Sequence, residues 1–155
     1  MLKPLLILLY VLITISGFAQ DLSFGKISAE DFDKGDYAPH SEAIVLHEYG
    51  KARIEYQSIK GELVLRFYYH TKILIKNKGG LDYANFTVPL FKSSGNRETI
   101  EGIKGTTYNK LEDGKIEKTD LDKKNILTEK VSENRDVVKI ALANVKEGSI
   151  IELKY

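Results

Sequence analysis

The chain has 155 residues, 23 basic against 22 acidic side chains, a formal net charge of +1, and no cysteine or tryptophan. Without cysteine there can be no disulfide staple, thiol nucleophile, lipidated anchor cysteine or thiolate zinc site. The balanced, interspersed charge lacks the basic excess or stripe of a nucleic-acid binder, and the length suits one domain rather than two.

Lys3, the apolar run Leu5–Ile15 and the small residues of Ser16-Gly17-Phe18-Ala19 predict a signal peptide over residues 1–19, with Gln20 as the mature N-terminus. A membrane-spanning helix needs about 20 apolar residues, more than this run offers. The expected localisation is export, to the periplasm or the extracellular space, with no membrane span after cleavage. Residues 20–155 then form the domain.

Ser28 and Asp31 have the spacing of a capping box, and Ile27 and Phe32 flank it as a staple, so a short helical turn opens there. Asp33–Glu42, rich in Asp, Gly, Pro and Ser, reads as a loop. From Ala43 the pattern is β. Ala43–Glu48 predicts a strand that ends at Tyr49-Gly50, and Ala52–Gln57 its hairpin partner. Glu62–Lys76 predicts a long strand, with Leu63, Leu65, Phe67, Tyr69, Ile73 and Ile75 on a buried face. Arg66, Tyr68, His70, Lys72 and Lys76 fall on a wet one. Tyr83–Phe91 predicts a strand in which Pro89 demands an edge or an end. Lys92–Arg97 reads as a loop.

Asp113-Gly114 predicts a two-residue hairpin loop between Thr99–Leu111 and Lys115–Leu121, with Glu112 opposite Lys115, Leu111 opposite Ile116 and Lys110 opposite Glu117. Asp122–Asn134 reads as an irregular strand or turn. Val137–Leu142 and Gly148–Tyr155 read as strands. Ile150, Ile151 and Leu153 keep strand alternation up to Tyr155, which suggests the front part of a longer protein and an unpaired edge at Gly148–Tyr155. The fold class expected is all-β: an antiparallel β-sandwich-like domain with a short N-terminal helical turn and an expected truncation at its C-terminus.

Candidate chemistry is sparse. Asp31, Asp33, Gly35, Asp36 and Glu42 approach a calcium loop, but Gly35 and Asp36 exchange the ligand and turn positions. His40, His47 and His70 lack the i, i+4 spacing of a local zinc pair. No serine sits in a nucleophile elbow, no glycine-rich loop cradles phosphate, and Asn85-Phe86-Thr87 is a weak glycosylation match. Tyr68, beside Arg66 and His70, could stack on a sugar or grip a partner.

Phe24-Gly25-Lys26-Ile27-Ser28 with Glu30-Asp31, Ala43-Ile44-Val45-Leu46, and His70 with Lys72-Ile73-Leu74 form a recognisable series. It continues through Gly80–Asn85, Arg97-Glu98, Ile103-Lys104, Thr107-Tyr108-Asn109, Glu112–Lys115 and Asn144–Glu152. In order and spacing it resembles a domain of unknown function that lies N-terminal to transglutaminase-like domains in exported bacterial proteins. That resemblance implies an antiparallel β-sandwich beside a domain with a cysteine-centred, peptidase-type triad. Gly105 and Ala143 depart from it, standing where that family more often has alanine and proline.

The reading is therefore a non-catalytic extracytoplasmic module, accessory to a transglutaminase-like, cysteine peptidase-type domain in cis or in trans. The alternative is a free-standing glycan- or peptide-binding module. No catalytic, cofactor-binding or metal residue is assigned, and neither a cofactor nor a nucleic-acid partner is expected.

Overall fold

The computed structural model describes residues 23–155 except 60 and 94; the signal-peptide segment lies outside the described residues. Among the described residues nine strands form two antiparallel sheets, as the alternation predicts. One sheet holds β1 (Ala43–Gln57), β2 (Glu62–Ile75), β5 (Lys104–Lys110), β6 (Ile116–Asp120) and β9 (Ile150–Lys154), in the order β1-β2-β9-β5-β6. The other holds β3 (Asn85–Ser93), β4 (Asn96–Arg97), β7 (Ile126–Ser132) and β8 (Arg135–Ala141), in the order β4-β3-β8-β7. Short 3-10 segments cover Ala29–Tyr37, Lys78–Ala84 and Lys123–Asn125.

The core lies between the sheets. Ile73, Ile75, Ile151 and Leu153 of the five-stranded sheet meet Val138, Ile140 and Leu142 from β8 and its end, with Ala84 between. Burying each such side chain contributes about 1.5–3 kcal/mol. A second, smaller layer lies on the outer face of the same sheet. There Ile27 and Phe32 from the N-terminal segment pack on Leu74, Tyr108 and Ile150. The expected staple pair is thus in place. Half of the capping box is plain as well, for Ser28 N donates to Asp31 Oδ2 at 2.9 Å.

Several expectations are corrected. Asp33–Tyr37 continues the 3-10 segment rather than opening a loop. Tyr49-Gly50 is no turn, because β1 runs unbroken against the full length of β2, with a bulge between Val45 and His47. Gly50 stays extended there, and the Phe67 ring occupies the space beside it, 3.1 Å from where a Cβ would stand. The β5–β6 loop spans 111–115, and Lys110 faces Ile116 while Asn109 faces Glu117. That is one residue off the expected register, and a one-residue slip exchanges the faces. Asn96-Arg97 is a short strand. Finally, β9 is the middle strand of its sheet, paired on both sides, so Gly148–Tyr155 is not an exposed edge.

Gly105 has a reason to be glycine. A Cβ there would stand 2.5 Å from Leu142 Cδ2 and 3.2 Å from Leu121 Cβ. Gly105→Ala, toward the alanine of the resembled family, is expected to destabilise by about 1–3 kcal/mol through overpacking. Denaturant unfolding checks it, and Gly105→Ala combined with Leu142→Val should recover part of the loss.

Candidate functional site

The parity expected for β2 is correct, but both faces are buried along its C-terminal half, and Leu63, Leu65 and Phe67 of the expected buried face are exposed in its N-terminal half. Even-numbered residues of β2, with Ile150, Glu152 and Lys154 of β9 and Tyr108 of β5, share the outer face. Towards the C-terminal half of β2 the N-terminal segment covers that face, so His70 and Lys72 are buried rather than wet. They surround Glu152, whose side chain has no solvent exposure.

Glu152 Oε1 accepts from His70 Nε2 at 2.7 Å and lies 3.4 Å from Lys72 Nζ. Its Oε2 accepts from the Tyr108 hydroxyl at 2.6 Å and from Gly25 N at 2.9 Å. Lys72 Nζ also donates to the Lys26 carbonyl at 2.7 Å. Phe24 lies over His70, with ring centroids 5.9 Å apart, and Lys154 Nζ sits 5.2 Å from the Phe24 centroid. The segment Phe24–Lys26 is thus a strap, tied down through its own backbone by a buried carboxylate and a buried ammonium.

The chemistry of this cluster follows from counting partners. An ionised carboxylate offers about four acceptor sites, and Glu152 has four neighbours on it. The Lys72 charge offsets the carboxylate charge. Burial first, and then the bond to Glu152, push the Tyr108 phenol far up. A histidine, a carboxylate, a lysine and a tyrosine together have the look of acid–base machinery. Here their hydrogen-bonding capacity is used to hold the strap, and the strap covers them.

His47 adds a pH-sensitive group. Its ring packs edge-on to His70, at 5.1 Å between centroids, and its Nε2 is buried without a hydrogen-bond partner among the described residues. Burial, then the neighbouring His70 and Lys72, lower its pKa from 6.5, with Glu152 opposing. A depressed histidine pKa means the folded state binds fewer protons than the unfolded one. Its contribution to stability is therefore complete above about 6.5 and is lost as pH falls through the lowered folded value. Melting temperature should fall more steeply below pH 6.5 in the native chain than in His47→Gln.

The other sequence candidates are dispersed. Asp31 is bonded to Lys34 at 2.7 Å, and Asp33 pairs with Lys110 at 3.3 Å. Among the described residues no three of His, Asp or Glu are placed to hold a metal ion, and the calcium-loop residues are not brought together around one point. Tyr68 lies on the outer face as expected, but its hydroxyl donates to Glu55 at 2.8 Å, and Arg66 Nε donates to the same carboxylate at 3.1 Å. A second buried carboxylate, Asp136, joins Lys92 at 2.5 Å and Arg97 at 3.1 Å. The Lys92 bond leads the effects that lower its pKa, and the two contacts tie the β3–β4 hairpin to β8.

What sequence reading missed is the exposure of the other half of β1 and β2. Residues 52–57 and 62–67 project beyond β9 as a two-stranded arm. Its inner face carries Ile54, Tyr56, Leu63, Leu65 and Phe67, with Ile54, Leu63 and Leu65 each more than 70% exposed (74%, 71% and 75%). Each aromatic offers about 150–250 Å², so the row as a whole reaches or exceeds the roughly 300–600 Å² of the largest apolar patch on a typical monomer. Ile59, in the connecting turn, is 98% exposed and extends it.

No family model matches the chain, and no curated protein matches it significantly. Among solved structures it is similar to a Parabacteroides distasonis protein provisionally named a protease, at 10% identity and a TM-score of 0.41. The alignment covers 58% of this chain and 18% of that one, so the chain spans less than a fifth of that protein. A likeness of this size assigns neither family nor activity. Among the described residues no helix is long and apolar enough to cross a membrane.

Proposed function

We propose that the chain is a non-catalytic, exported module that stands beside a transglutaminase-like, cysteine peptidase-type domain and packs against it through the β1–β2 arm. The bare apolar face of the arm carries this reading. A hairpin face of this kind costs free energy in water and marks an interaction surface. The residue series running from Phe24 to Glu152 supports the kind of neighbour. The saturated surroundings of Glu152 favour a supporting role for the cluster over a chemical one.

The competing reading, a free-standing binder of glycan or peptide through Tyr68, is weakened by the bonds that Glu55 makes to both Tyr68 and Arg66. A sugar or peptide would have to displace them.

A photo-crosslinking residue at Ile54 in the source cells tests the proposal. The expected product contains a polypeptide with a transglutaminase-like domain and its cysteine, histidine and aspartate. Crosslinks confined to unrelated proteins, or peptide hydrolysis by the purified chain unaided, would overturn it.

A further inference from the structure

His47 lies on β1 directly across from Lys72, the residue that holds the strap through the Lys26 carbonyl. Its ring packs on His70, the ring that Phe24 of the strap also meets. Its Nε2 is buried and has no hydrogen-bond partner among the described residues. A neutral imidazole has one donor nitrogen to satisfy, whereas an imidazolium has two, each in need of an acceptor. A buried donor without one costs about 1–3 kcal/mol, and more when it is charged. The surroundings offer none. From β2 come His70 and Lys72, from β9 Glu152 with Lys154 beyond it, from β5 Tyr108, and from the strap Lys26. On β1 itself Tyr49 lies two residues along the same face, while Glu48 falls on the other face and accepts from the Tyr69 hydroxyl. Glu152 is the carboxylate of this set, and four partners already stand on its oxygens. A proton on His47 therefore adds a cation beside Lys72 with no acceptor to receive it.

We propose that a proton on His47 lifts the strap, so that Phe24–Lys26 leaves the outer face in mildly acidic solution while both sheets stay folded. The acid form then presents a surface that the neutral form hides: the freed Phe24 ring, and beneath it the face made by His70, Glu152 and Tyr108.

The strap is the part that gives way because it is the part held most lightly. Its backbone anchors on the cluster are Gly25 N on Glu152 and the Lys26 carbonyl on Lys72, whereas β1 is paired along the whole of β2. Gly25 has a φ of +90°, and nothing lies within 4 Å of where a Cβ would stand, so the strap bends at a loosely packed glycine. Lifting it lets water reach His47 Nε2 and frees Lys72 from the Lys26 carbonyl, so that the ammonium can turn away from the new charge. The direction with pH follows. Burial, then His70 and Lys72, hold the closed-state pKa of His47 below the ordinary 6.5, with Glu152 opposing. The closed form thus binds the proton less readily than the open one, and the balance moves to the open form as pH falls.

Native-state amide exchange on the full chain, followed by NMR, reads the strap and the sheets separately. Gly25 N–H reports the bond to Glu152, and Ile151, in the middle strand of its sheet, reports global opening. Between about pH 7.5 and pH 5 the protection factor of Gly25, which divides out the intrinsic pH dependence of exchange, should fall by about threefold or more while that of Ile151 holds. The fall should track the titration of the His47 ring protons in the same sample. It should be lost in His47→Gln, and in His47→Phe, which keeps a ring against His70 but takes no proton. The chain has no tryptophan, so Phe24→Trp adds an independent reading: acrylamide quenching of the indole should rise over the same pH range.

Gly25 protection that is absent at pH 7.5 or constant down to pH 5, or a fall shared equally by Ile151, would overturn the proposal. So would a fall retained in both His47 variants, which would place the trigger on another group of the cluster, Glu152 or His70. Where a His47 variant fails to fold or to hold the strap at pH 7.5, the native chain decides alone. A Gly25 transition with the midpoint of the His47 ring supports the proposal, and one with a different midpoint overturns it.

Discussion

Glu152→Ala is expected to lower stability by about 3–5 kcal/mol, the usual cost of removing one partner from a buried ion pair and leaving the other uncompensated. The substitution strips an acceptor from His70, Lys72, Tyr108 and Gly25 at once. Lys72 would keep the Lys26 carbonyl but lose its counter-charge. In a domain of this size the melting temperature should fall by on the order of 10 °C. An exposed pair such as Lys130–Glu133 sets the baseline, because such pairs contribute about 0–1 kcal/mol.

The loss should be local before it is global. Phe24–Lys26 is held at two backbone points by this cluster, so limited proteolysis should cut the strap in Glu152→Ala under conditions where the native chain resists. Glu152→Gln, which keeps an acceptor oxygen but no charge, should fall between the two. A Glu152→Ala protein as stable as the native one, with its strap intact, would show that the four bonds contribute nothing net.

Gly80→Ala carries the second large effect. Gly80 lies in the Lys78–Ala84 turn, packed against the start of β1. A Cβ at Gly80 falls on the backbone carbonyl oxygen of Glu42, well inside contact distance, and lies 3.3 Å from Ile75 Cγ2. The obstacle is backbone, and Glu42 O already accepts from Lys76 N at 2.9 Å, the bond that follows the last β1–β2 rung. A side chain could swing aside; this carbonyl cannot move without breaking that bond and shifting Ala43, which packs on the core. Overpacking costs about 1–3 kcal/mol and more where the backbone must shift, so a loss at or above the top of that range is expected in denaturant unfolding. Gly35→Ala, where the backbone is not left-handed and the added methyl meets only ordinary contacts at 3.8 Å or more, separates steric clash from the general effect of losing a glycine.

How far the fold could be read from sequence depends on which interactions set each feature. Period-two alternation depends on neighbouring residues alone, so the strands and the parity of β2 were legible. Which end of a face is wet depends on what lies over it. His70 and Lys72 are buried because residues 24–37 fold back across them, and nothing in Glu62–Lys76 encodes that. The row Leu63-Leu65-Phe67 looks like core for the same reason: alternation marks an apolar face without naming its cover.

Gly50 was misread because a Tyr-Gly pair is a common turn, whereas here a 14-residue partner keeps the strand extended past it. The Asp113-Gly114 signal marked a true hairpin, but a tight-loop assumption placed the register one residue off. For the cluster a signal did exist. Glu152 interrupts Ile150-Ile151-Glu152-Leu153, and an acid inside so apolar a run is a buried acid in need of partners. Its partners come from two other strands and the strap, distances in sequence that no spacing rule spans.

The covered residues lie in the cluster and the bare ones on the arm, and hydroxyl-radical footprinting of the full chain reads both in one measurement. Tyr56, Leu63, Leu65 and Phe67 should be oxidised rapidly, while Tyr108 and His70 stay protected beneath the strap. Tyr108 and His70 reacting as fast as Tyr56, or an arm as protected as Ile151, would contradict that placement.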